Sequence, residues 1–284
     1  MLIIGVLTAH RNLTDDTSNL PLLRQLVNDL AADIDGSPVG LVDDYPGQCF
    51  PADVGVAIAI IRHADTARGS DRSDWAKNAL ERLIHSCGGS LPACMALSES
   101  GQPTGPSRVC TNGFFFSFIR NIEPEVAARL YSEYVAGFWQ ENIGCAGWRE
   151  FPRDPGGNKS ESYCDPDSGP VVAGFGTSAT GLGLGAARLH GDHARAGMLG
   201  AELITTSLPL PSGRLLIPAL VGDPDHAPYF PEIAMLHQLS ISSSSTLSEP
   251  SASARSELGS TNDADFGQPA DDRVVLEKSP GYVF

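Results

Sequence analysis

Residues 169–189 read "GPVVAGFGTSATGLGLGAARL", and two folds compete for them. Read as a strand, a phosphate-cradling turn and a helix, Gly174-Phe175-Gly176-Thr177-Ser178-Ala179 fits the G-x-G-x-x-A of a dinucleotide-binding unit. Read as one glycine-rich helix with Pro170 in its first turn, the stretch is an interior helix packed against others. The residues that follow decide between them. A dinucleotide unit needs a second strand after the helix, with an acidic residue about 20 positions on. Instead "GDHARAGMLGAELITT" (191–206) continues in helical period through Ala194, Met198, Ala201 and Glu202. Inside a helix, Gly174, Gly176, Gly181, Gly183 and Gly185 would each cost about 0.8–1 kcal/mol relative to alanine. That load is tolerable where side chains would obstruct a neighbour or a ligand.

Working outward, the chain alternates two kinds of helical segment. In "LPLLRQLVNDLAADI" (20–34), Leu22, Leu23, Leu26, Val27, Leu30, Ala31 and Ile34 form one apolar stripe. "SDWAKNALERLIHSC" (73–87) does the same through Ala76, Ala79, Leu80, Leu83 and Ile84, with Ser73 as the expected N-cap. "EPEVAARLYSEYVAGFWQ" (123–140) aligns Val126, Leu130, Tyr134 and Phe138 behind Pro124. Between these lie "MLIIGVLTAH" (1–10), "ADVGVAIAIIRHAD" (52–65), "NGFFFSFI" (112–119) and the opening stretch, all apolar nearly all round. A helix without a polar face has to be enclosed by others. Alternation of enclosed and amphipathic helices predicts an all-α fold of helical hairpins, an inner ring covered by an outer one.

The domain is expected to span residues 1–240, followed by a Ser/Asp/Glu-rich tail, 241–284, whose aperiodic polar composition predicts disorder. A net charge of -15 without a basic run excludes nucleic acid as a partner. The apolar opening is too short to span a bilayer and lacks the flanks of a secretory signal, so the chain carries no visible address and is cytoplasmic by default, its location otherwise unknown. The six cysteines stand far apart without a C-x-x-C, so neither a zinc site nor a redox pair is visible.

Polar residues gather just ahead of the interior helices. "DDYPGQCFPAD" supplies Asp44, Tyr45, Cys49 and Asp53, "GWREFPR" supplies Arg149 and Glu150, and "CDPDSGP" supplies Asp165, Asp167 and Ser168. Loops that enter the inner helices of one ring share a rim, so these groups are expected to converge. Carboxylates in a partly apolar mouth can be driven apart in pKa, one ionised and one a proton donor. The candidate acid/base groups are therefore Asp53 and Asp167, with Glu150 and Tyr45 relaying protons or orienting a hydroxyl. Asp44, Cys49, Asp165 and Ser168 are candidate substrate contacts, and Arg149 is expected to hold the carboxylates. Helix capping by Asp167 or Ser168 and a structural Arg149–Glu150 ion pair are the plain alternatives.

The order "DDYPGQCFPADVGVAIAIIRHAD", "PSRVCTNGFFFSFI", "GWREFPR" and "DPDSGPVVAGFGTSATGLGLGAARLHGD" resembles the linalool dehydratase/isomerase-like proteins over residues 1–240. The resemblance implies an (α/α) toroid. It implies hydration, dehydration or isomerisation of a small apolar, terpenoid-like alcohol or alkene, as a lyase or isomerase without cofactor or metal. It also implies a pocket that a neighbouring subunit can complete. The chain departs from the family at two cysteines. Ala52-Asp53-Val54 stands where the family has Cys-Asn-Ser, and the stretch from Leu41 to Asp43 lacks the second one. It also shows fewer hairpins than a closed ring needs. The expected toroid is thus incomplete on its N-terminal side, finished by oligomerisation or by a second chain. A carbohydrate-active toroid with paired carboxylates and a non-catalytic ligand-binding toroid are the alternative functions.

Overall fold

A computed structural model describes residues 1–142, 145–152, 171–172, 174–206, 208–209, 211 and 215–216. The chain divides into two units, Met1–Ser245 and Thr246–Phe284, and every described residue belongs to the first. The expected disordered tail, Asp165, Asp167 and Ser168 lie outside the described residues.

The fold is mostly helical. In chain order it runs α1 (Leu2–Thr14), α2 (Leu20–Gly36), β1 (Gln48–Cys49), α3 (Pro51–His63), α4 (Asp65–Arg68), α5 (Ser73–Ser86), β2 (Ala96–Leu97), α6 (Val109–Ile119) and α7 (Pro124–Phe138). It continues with β3 (Trp139–Asn142), β4 (Cys145–Trp148), β5 (Val171–Val172), β6 (Phe175–Gly176), α8 (Thr177–Leu189), α9 (His193–Thr206), β7 (Leu208–Pro209) and β8 (Leu215–Leu216).

Two layers follow from the apolar periodicity. The all-round apolar helices form a row in which α1 touches α3, α3 touches α6 and α6 touches α8. The amphipathic helices back this row: α2 and α5 pack on α3, α7 on α6 and α9 on α8. The amphipathic helices bury most of the stripes read from their sequences: Leu23, Val27, Ala31 and Ile34 in α2, and Ala76, Ala79, Leu80, Leu83 and Ile84 in α5, whereas Leu22 of the α2 stripe is 45% exposed because it lies off the face that meets α3. Helix α1 is the exception to full enclosure. It buries Ile4 and Thr8 but leaves Leu2 (80% exposed) and Leu13 (85%) in solvent, because it ends the row.

Glycines set how closely the row packs. A Cβ on Gly55 of α3 would lie 2.1 Å from the Phe115 ring of α6, and one on Gly183 of α8 would lie 2.1 Å from Trp148 Nε1. One on Gly113 of α6 would lie 3.0 Å from Leu182 of α8. The glycines of the interior helices therefore admit aromatic rings and a neighbouring helix.

Two local expectations are corrected. The glycine-rich stretch is not one helix from Pro170: Val171–Val172 pairs antiparallel with Phe175–Gly176 around Gly174 at φ 86°, and α8 begins only at Thr177. A positive φ ends any helix there, and glycine alone adopts it without strain. Ser73 is not the cap of α5 but a residue of its first turn. Asp71 Oδ1 accepts the Ser73 N–H at 2.9 Å and its hydroxyl at 2.6 Å, so the carboxylate two positions earlier serves that helix end. Every sheet among the described residues is a two-stranded antiparallel pair, which removes the parallel sheet a dinucleotide unit would need.

Candidate functional site

The loops that enter α3, α6 and α8 are tied to one another. Gln48–Cys49, just ahead of α3, pairs with Ala96–Leu97 on the approach to α6. The first amide of α6, Val109 N–H, donates to the Glu150 carbonyl at 3.1 Å. Gly176, immediately before α8, lies so close to Glu150 that a Cβ there would stand 2.8 Å from Glu150 Oε2.

At the α3 entry, "DDYPGQC" folds as a tight turn. Asp44 and Tyr45 N–H both donate to the Gln48 carbonyl at 3.0 Å, and Gly47 takes φ 75°. Asp43 accepts the Ser98 hydroxyl and the Gly47 N–H, holding its carboxyl below the usual range. Asp44 Oδ2 accepts the Phe50 N–H at 2.7 Å. Its open side faces solvent, yet the desolvating atoms around it push its carboxyl upward. Asp53, partly buried in the first turn of α3, is pushed up to about 6, first by burial and then by the charge of Asp44. The sequence reading placed both residues at this entry but took Asp167 as the acid/base partner of Asp53, and Asp167 lies outside the described residues. Tyr45 is 58% exposed and edges against Phe50 with ring centroids 6.0 Å apart, outside any buried relay. Cys49 is fully buried, and burial followed by Asp44 pushes its thiol up to about 12. It therefore remains a protonated core residue rather than a contact open to solvent.

Glu150 anchors a second group, and it is the more deeply buried of the two. The residue is 1% exposed. Arg108 Nε donates to its Oε1 at 2.7 Å, and the Cys110 thiol donates to the same oxygen at 2.9 Å. Arg108 Nη1 also approaches Cys94 Sγ at 3.9 Å. Arg108 compensates the charge of Glu150, without which a carboxylate at this depth would be prohibitively costly. Fully buried Tyr134 lies beside it, its hydroxyl pushed well above the ordinary value by burial first and then by Tyr131, Glu150 and Cys110. Trp148 lies against Tyr134 with centroids 4.3 Å apart and the rings tilted by 39°, and its Nε1–H is buried with no acceptor among the described residues.

Arg149 was expected to hold the carboxylates. Its amide extends the β3–β4 ladder by donating to the Phe138 carbonyl at 2.9 Å, and its guanidinium donates to Gln140 Oε1 at 3.3 Å. The Arg149 guanidinium thus serves Gln140, and it is Arg108 that donates to Glu150.

The structure thus brings Asp44 and Asp53 together at the α3 entry, and Arg108, Cys110, Glu150, Tyr134 and Trp148 together at the α6 entry. Sequence reasoning passed over Arg108 and Cys110. The signal was present, since both flank the start of an interior helix in "SRVCTNG", the position that singled out the other candidates. Among the described residues, no cluster of three His, Cys, Asp or Glu is arranged to hold a metal ion, and no helix is long and apolar enough to cross a membrane. A separate groove of about 230 Å³ between α5 and α7, floored by Leu80, Ile84 and Val126, includes none of these groups. Compared with known proteins, the chain matches no protein-family model and no curated protein.

Proposed function

We propose that the chain is a toroid of helical hairpins that carries out acid/base lyase or isomerase chemistry on a small apolar alcohol or alkene, as its resemblance to the linalool dehydratase/isomerase-like proteins implies. The observation that carries this reading is the buried Glu150 carboxylate held between Arg108 and the Cys110 thiol, under Tyr134 and Trp148. A charged base enclosed by aromatic side chains suits removal of a proton from an apolar substrate, because water cannot compete for it. The row α1–α3–α6–α8 with its backing helices supports the toroid, and the bare flank of α1 is where a further copy or a second chain would continue the ring.

In this reading Asp53, with its pKa near 6, donates a proton to the substrate hydroxyl. The C–O bond breaks to release water, and Glu150 takes the proton from the adjacent carbon, leaving an alkene. Run in reverse, the same two groups hydrate an alkene. Neither step uses a cofactor or a metal. Asp167 and Asp165, outside the described residues, remain candidate partners in this chemistry. The saccharide alternative is weakened by the tryptophans: Trp148 is fully buried and Trp139 is 7% exposed, so neither is a stacking platform.

The test is incubation of the full chain with a panel of small allylic and tertiary alcohols and their alkenes in D₂O, read by mass spectrometry for deuterium incorporation. Exchange that disappears in Glu150→Gln and in Asp53→Asn supports the reading. Absence of exchange with every compound in the panel, or exchange that survives both substitutions, overturns it.

A further inference from the structure

The arginines around the α4–α5 turn stand apart from this chemistry. They lie beyond the opposite end of α3 from Asp53, about 15 Å of helix away. Helix α4 ends at Arg68, Gly69 turns at φ 65°, and Ser70, Asp71 and Arg72 lead into α5. Asp65, 3% exposed, is the buried anion of this corner. Its Oδ1 accepts the Ser70 hydroxyl at 2.6 Å and its Oδ2 accepts the Arg72 N–H at 2.7 Å. Arg62 shares Oδ2 at 3.4 Å.

That leaves Arg68 poorly served. Its side chain is 8% exposed, yet it reaches Asp65 Oδ1 only at 3.6 Å, beyond hydrogen-bonding distance. Its Nε and Nη1 are buried with no acceptor among the described residues. A guanidinium presents five N–H donors in a fixed fork, and burying it with donors unused is unfavourable unless an anion completes it.

Two more guanidinium groups, Arg72 and Arg24, are close enough for their charges to act on Arg68. Arg72 is fixed by donating from Nη2 to Asn28 Oδ1 at 2.6 Å, with its plane 6.0 Å over the Trp75 ring. Arg24 precedes Asn28 by one turn of α2 and shares its face. Burial first, then the charges of Arg72 and Arg24, hold Arg68 below its ordinary value despite the opposing effect of Asp65. Counting Arg62, four guanidinium groups meet two carboxylates, Asp65 and Asp71. The corner is positive in a chain whose net charge is -15.

We propose that Arg24, Arg68 and Arg72 form a binding site for a tetrahedral oxyanion, a phosphoryl group in chemical class. The three residues come from three different elements and grade from exposed Arg24 through partly exposed Arg72 to buried Arg68, so an anion entering from solvent meets donors on more than one side. Forked donors at several angles match the oxygens of a tetrahedral dianion better than the two oxygens of a carboxylate. The proposal is independent of the acid/base reading.

The experiment is thermal unfolding of the full chain against sodium phosphate, with sodium chloride at matched ionic strength, together with ³¹P line broadening of inorganic phosphate. Wild type is expected to show a saturable rise in Tm of about 3–6 °C at ten times Kd, absent in chloride. Arg24→Gln, a change at an exposed position, and Arg72→Gln are expected to abolish both the rise and the broadening. Equal shifts in wild type and Arg24→Gln would mark a general salting effect and overturn the site, as would an unbroadened ³¹P signal. A parallel titration with glycerol phosphate distinguishes the source: tighter binding of the ester assigns the site to organic phosphates, and equal binding assigns it to the free ion.

Discussion

Asp53→Asn is expected to stabilise the protein at neutral pH while removing its proposed proton donor. The Asp53 carboxyl sits at about 6 in the fold against an ordinary 3.8. At about 1.4 kcal/mol per pH unit, that difference corresponds to about 3 kcal/mol of destabilisation when the group is ionised. The position in the first turn of α3 returns part of this, since the helix N-terminus favours an anion by about 0.5–1 kcal/mol. The net gain expected for Asn at pH 7 is therefore about 2 kcal/mol. The sign follows from the raised value. Below about 3.8 both folded and unfolded chains hold the proton and the penalty vanishes, it grows between 3.8 and about 6, and it is complete above. Urea unfolding of wild type and variant from pH 3.5 to 8 measures it. The difference in stability should rise through this window and plateau near neutrality. A difference independent of pH, or a variant less stable than wild type at pH 7, would refute the assignment of Asp53 as a desolvated carboxyl. Greater stability combined with lost turnover is the pattern of a residue kept for function at the expense of the fold.

Other perturbations test separate parts of the structure. His190 is stacked 4.4 Å from Tyr131, and burial, then Arg120, lower its pKa to about 4. Because the unfolded chain takes up the proton first, stability is intact above about 6.5 and falls by about 3 kcal/mol as pH drops toward 4. His190→Phe should flatten that acid limb in urea unfolding, and parallel curves would exclude it. Gly183→Ala must displace the Trp148 ring and should cost about 1–3 kcal/mol. Gly197→Ala in α9, with nothing within 4 Å, should gain up to about 1 kcal/mol. Thermal unfolding of both reads the contrast. Arg108→Met leaves buried Glu150 without its guanidinium and should cost about 3–5 kcal/mol, measured by denaturant midpoint.

The outer helices were legible because each carries its own evidence: the stripe Leu23, Val27, Ala31, Ile34 repeats at the helical period, and burying it is the only way to hide it from water. The interior row was legible for the complementary reason, since α3 has no polar face to offer solvent. The placing of Asp44 and Asp53 ahead of the same interior helix was also legible, the two lying nine positions apart around a turn that Pro46 and Gly47 announce. The start of α8 was not. The same glycines suit a helix packed against a ring and a hairpin turning at Gly174, and only the antiparallel pairing of Val171–Val172 with Phe175–Gly176 separates the two. The Glu150 group was hidden more deeply. Arg108 and Cys110 precede Glu150 by 42 and 40 residues, with a whole helix and a hairpin between them. No local pattern records such a contact, because it is created when the first amide of α6 meets the Glu150 carbonyl just past the end of β4. Periodicity and composition alone determined that this chain is a layered helical protein with acidic residues at its interior helix entries. Which of those residues is buried, and which cation and thiol hold it, was decided by tertiary packing, since burial and charge compensation exist only once distant segments meet.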